Sequence, residues 1–117
     1  MGTLGFRPEG VARGGTRVPC EIPITLVSAD PADPFSHPAH VILANLRGCA
    51  ARSPHPVATG TVVRLQGLPA NEPIAARVVN CISLGEFEKL WLLGLALVDR
   101  SGNVWGLEQV PEDWERV

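Results

Sequence analysis

A chain of 117 residues is long enough for one hydrophobic core and too short for two. It is 45% hydrophobic and 19% charged, which excludes a disordered chain, and its 11 prolines and 12 glycines exclude long helices in favour of short elements joined by turns. A formal net charge of -2 argues against unspecific nucleic-acid binding, so neither DNA nor RNA is expected as a partner.

The charge is unevenly spread. Residues 1–64 carry six arginines against four acids, whereas residues 65–117 carry four basic groups against eight acids, so any anion site belongs in the first half. No apolar run approaches the roughly 20 residues of a membrane span, and the N-terminus has neither a basic segment nor an apolar signal core. The expectation is a soluble cytoplasmic protein without membrane insertion.

Residues 1–19 lack periodicity and hold five glycines and two prolines, which predicts a flexible N-terminal arm, with the folded domain over 20–117. The alternation of Ile22, Ile24 and Leu26 predicts a strand over residues 21–28, with Pro23 marking an edge or a strand start. "ADPADPFSHPAH" (29–40) reads as a proline-rich surface loop. Strands follow over 41–46, in the short return "AARS", and over 61–68 and 74–82, the last alternating Ala76, Val78 and Asn80 with Arg77, Val79 and Cys81. "KLWLLGLALV" (89–98) could be helix or buried strand by length, but Gly94 and the turn "DRSGN" favour a strand. Six strands with short or proline-rich links predict an all-β fold, a small antiparallel barrel.

Few residues suggest catalysis. Ser36, His37 and His40 in "FSHPAH" have a spacing that could serve a metal or a nucleophile, but no further ligand is placed beside them, and they read as solvated loop residues. "EDWE" (112–115) reads as a solvated tail, and Cys20, Cys49 and Cys81 read as buried free thiols. Trp91 reads as core, and Trp105 and Trp114 as caps on an open barrel end. No metal, cofactor or catalytic residue is expected, and an enzyme is the reading least supported.

Arg13 and Arg17 are different. A guanidinium is planar, always charged, and grips phosphate or the O6/N7 edge of guanine with a fork of donors. This R-x-x-x-R, placed before a first strand and followed about thirty residues later by "NLRGCAA" between two strands, resembles the PilZ family, as do the strands "GTVVRL", "ARVV" and "LGLALV". The resemblance implies a bacterial six-stranded split barrel that binds the second messenger cyclic di-GMP without catalysis. It further implies that Arg13 and Arg17 grip guanines and phosphates as the arm orders, and that Asn45 hydrogen-bonds the ligand. The ordered arm would then signal to a protein effector.

The second family motif, [D/N]-x-S-x-x-G, is altered: Arg47 stands in place of Ser and Ala50 in place of Gly. Losing a hydroxyl contact costs about 0.5–1.5 kcal/mol, and alanine where glycine adopts positive φ costs about 1 kcal/mol more. A charge-assisted bond from Arg47 would return about 1.5–3 kcal/mol. The alternative implied by these departures is a degenerate PilZ domain that binds no nucleotide and works as a protein-interaction adaptor.

Overall fold

The computed structural model describes residues 15–69, 72–99 and 102–116. Six strands, β1 (Val18–Ser28), β2 (Ser36–Asn45), β3 (Gly48–Ser53), β4 (Val62–Gln66), β5 (Ile74–Ser83) and β6 (Trp91–Leu97), close into an antiparallel barrel in the order β1-β2-β3-β6-β5-β4. The fold is therefore the all-β, six-stranded barrel expected. Among the described residues there is no α-helix, only a 3-10 turn over Glu112–Arg116.

Alternation along the strands fills the interior with Leu26, Val41, Ala44, Ala51, Val63, Leu65, Ile74, Ala76, Val78, Leu93 and Leu95, all buried. Irregularities in pairing fall between Pro19 and Ile22, between Val41 and Leu43, and between Val78 and Asn80. Such bulges bend strands sharply enough to close a small barrel, and each reverses the inside-outside phase beyond it. In β2 the buried positions run Ala39, Val41, then Ala44, so Leu43 and Asn45 fall outside the core. In β5 they run Ile74, Ala76, Val78, after which Asn80 is exposed and Cys81 packs against the core. This corrects the simple alternation, which put Asn80 on the face of Ala76 and Val78.

Two further boundaries differ from the sequence reading. Residues 36–40 are strand rather than loop: β2 starts at Ser36 and pairs with β1, His37 opposite Leu26 and Pro38 opposite Thr25. Upstream of His40, β2 pairs with β1 alone, and such an open edge tolerates a proline. Pro23 is accommodated likewise, because β1 meets β4 only from Thr25 onward. The barrel also begins at Val18 rather than at Cys20, so part of the expected arm is strand. Residues 1–14 of that arm, with Arg13, lie outside the described residues.

The two ends of the barrel are closed differently. At the end reached by Val18, Asn45, Gly48 and Leu97, Val104, Trp105 and Trp114 are buried as a cap, as expected for the two tryptophans. The other end carries the starts of β2 and β6 and the link from β5 to β6. Trp91, at that end, is half-buried against the core.

Candidate functional site: an arginine-rimmed concavity on the barrel wall

The β2-β3 turn sits at the capped end and is organised by one side chain. Asn45 Oδ1 accepts hydrogen bonds from the backbone N–H of Arg47 (2.9 Å) and of Gly48 (3.1 Å), so the carboxamide closes the turn. The turn carbonyls are held as well, with Leu97 N donating to Arg47 O at 2.8 Å and Gly102 N to Leu46 O at 3.0 Å. These bonds fix the backbone that carries the Arg47 side chain out into solvent.

Arg17 is positioned from the opposite direction in sequence. Asn45 Nδ2 donates to Gly15 O (3.2 Å), and Trp114 Nε1 donates to Thr16 O (2.7 Å). Thr16 donates from both its backbone N–H (2.9 Å) and its hydroxyl (2.6 Å) to Asp113 Oδ2. Trp105 Nε1 donates to Asn45 O (2.7 Å), tying the same corner to the cap. The root of the arm is thus clamped by the C-terminal segment. "EDWE" is no merely solvated tail, since Trp114 is buried and Asp113 half-buried.

Between these two anchors lies an open concavity of about 520 Å³ on the outer wall of β2, β3, β5 and β6. Arg17, from the root of the arm, and Asn45, Arg47 and Ala50, from the β2-β3 hairpin, all line it. Its floor is built of small outward residues: Gly48 pairs with Ala96, and Ala50 with Gly94. Leu43, Val79, Ile82 and Leu92 form its apolar flank. No carboxylate lines it among the described residues, so its two guanidiniums dominate the local field. Arg52, by contrast, is paired with Glu21 at 3.3 Å.

Ala50 lies within the regular ladder between β3 and β6, so its backbone is extended. The cost of positive φ expected from the sequence therefore does not arise there. Asn45 has more work than the sequence suggested: with both lone pairs and one N–H engaged, a single N–H remains for a ligand. Thr16 and Asp113, which place Arg17, carry no sequence signal, because they are 97 positions apart.

The Cys49 thiol is pushed well above the ordinary thiol range by burial and secondarily by Cys20, which keeps it a protonated thiol at neutral pH. Cys20 is raised too, by burial and by Glu21. His37 and His55 lie at the other end of the barrel: His37 stacks between Phe35 (4.7 Å) and His55 (4.3 Å), half-buried rather than a solvated loop residue, whereas His40 is exposed in the middle of β2. Among the described residues no group of three or more His, Cys, Asp or Glu is placed to hold a metal.

Fold and site together define a closed antiparallel barrel with a cationic concavity floored by small residues on its outer wall. The sequence matches no family model and no curated protein. Among the described residues no helix is long and apolar enough to cross a membrane.

Proposed function

We propose that this domain is a non-catalytic PilZ-type receptor for cyclic di-GMP. The observation that carries the reading is the convergence of Arg17, Asn45, Arg47 and Ala50 on one concavity that no carboxylate lines among the described residues. The ligand is a dianion with two flat purines, and the concavity offers matching chemistry: guanidinium forks at its rim and a glycine-alanine floor onto which a ring can settle. Arg47 supplies a charge where the family pattern has a hydroxyl. On this reading Arg13, four residues before Arg17 in sequence, supplies the second guanidinium of the motif to the ligand, and the ligand-bound N-terminal segment is the surface that a bacterial, cytoplasmic protein effector reads. Binding energy shifts the arm only through contacts made in the ordered state.

Isothermal titration of the purified protein with cyclic di-GMP tests this. Saturable binding is expected, weakened at least tenfold in Arg17→Ala. No binding at high micromolar ligand would overturn it.

One observation favours a second reading, the nucleotide-free adaptor. Phe87 in the link between β5 and β6 is 95% exposed, with Leu84 (44%) and Ile82 (52%) nearby in sequence, and solvent-facing aromatics favour protein contact. On that reading the parent protein binds no nucleotide and Arg47→Ser with Ala50→Gly creates binding.

A further inference from the structure

We infer that Asn80 is a further, ligand-selecting residue of the concavity, a donor-only contact that favours the acceptor edge of guanine; the inference rests on the receptor reading above. Asn80 lines the concavity from β5 and stands outside the two motifs. The pairing irregularity between Val78 and Asn80 turns it out of the barrel.

Its orientation is set by the neighbouring strand. Asn80 Oδ1 accepts a hydrogen bond from the backbone N–H of Gly94 at 3.0 Å. The carboxamide lies so close over β6 that a Cβ on Gly94 would stand 2.6 Å from Oδ1 and 2.9 Å from Nδ2, and only glycine leaves room for it. With the oxygen committed to the strand, the Nδ2 amide hydrogens are what Asn80 offers a ligand. Guanine presents two acceptors, O6 and N7, on its Hoogsteen edge, whereas adenine presents one acceptor and one amino donor. A fixed donor therefore matches guanine at both positions and opposes the adenine amino group.

The test titrates wild type, Asn80→Ala and Asn80→Asp with cyclic di-GMP, and with cyclic di-AMP in competition. Asn80→Asp keeps the acceptor for Gly94 N–H, so its thermal midpoint reports whether the strand pairing survives. The expected result is a three- to tenfold loss of cyclic di-GMP affinity in Asn80→Ala, the worth of one net hydrogen bond, about 0.6–1.4 kcal/mol. A larger loss is expected in Asn80→Asp, and the preference for the guanine ligand should shrink in both. Unchanged affinity in Asn80→Ala, or an equal loss for the two dinucleotides, overturns the inference while leaving the receptor reading intact. Absence of binding by the wild type overturns both. Gly94→Ala gives a second handle: it displaces the carboxamide without removing it and should weaken binding as much as Asn80→Ala.

Discussion

The two ends of this barrel are held by different kinds of interaction. At the capped end, side chains bridge residues far apart in sequence: Trp114 to Thr16, Thr16 to Asp113, Trp105 to Asn45 and Asn45 to Gly15. At the opposite end the side-chain bonds are local, such as Ser53 Oγ donating to His55 O (2.8 Å) and Ser83 Oγ to Gly85 O (3.1 Å), supplemented by the stack of Phe35, His37 and His55. The capped end also buries two tryptophans, while the other leaves Phe87 in solvent. The difference teaches where a ligand can be held with fixed geometry. Arginines mounted on a corner braced from both chain termini keep their backbone positions, whereas groups on locally bonded links move with those links.

Breaking the cap should have the largest effect. Trp114→Ala removes a buried indole together with its bond to Thr16, and is expected to destabilise the fold by about 3–5 kcal/mol, read as a lower urea midpoint with unchanged slope. Phe87→Ser, at the other end, should change stability by less than about 0.5 kcal/mol. A Trp114→Ala protein as stable as Phe87→Ser would show that the cap is ornamental.

A smaller change sharpens the comparison. Gly15 adopts φ +82°, and a Cβ there would meet Trp114 Cδ1 at 2.5 Å. Gly15→Ala therefore combines backbone strain with a clash against the cap, and should cost about 1–3 kcal/mol by chemical denaturation. Amide exchange at Thr16 and Arg17 should accelerate relative to exchange in the ladder between β3 and β6. Uniform acceleration across the barrel would contradict a clamp local to the arm root.

The smallest expected effect belongs to the histidine stack. Burial, and then the neighbouring His55, push His37 below its ordinary value of 6.5, with a Ser36 backbone hydrogen bond pulling the other way. A histidine with a lowered pKa in the folded state binds fewer protons there than in the unfolded chain. Its contribution to stability is complete above about pH 6.5 and is lost as the pH falls through that value toward the lowered one. Thermal midpoints measured from pH 7.5 to 5 should decline below about 6.5, and His37→Phe should flatten that decline. An identical pH profile in the variant would assign the loss to other groups.

Much of the architecture was legible from local pattern. Alternating apolar residues, the glycine in the last strand and the turn-rich links all point to a small antiparallel barrel, because side-chain period and turn chemistry are local properties. Arg17, Asn45, Arg47 and Ala50 were also visible as a pattern of residue types. Less legible was the start of β2, where three prolines between Pro31 and Pro38 read as loop until pairing with β1 overrode local preference.

What the sequence by itself determined is therefore the class of fold and the chemical character of one set of residues, since both follow from composition and spacing. Only the tertiary structure decided that these residues share a concavity, that Asn45 spends most of its hydrogen-bonding capacity on the turn and the arm, and that Asn80 faces outward. The physical reason is the same in each case. A bulge reverses the face of every residue after it, and a clamp joins groups nearly the whole chain apart, so neither leaves a periodic signal along the sequence.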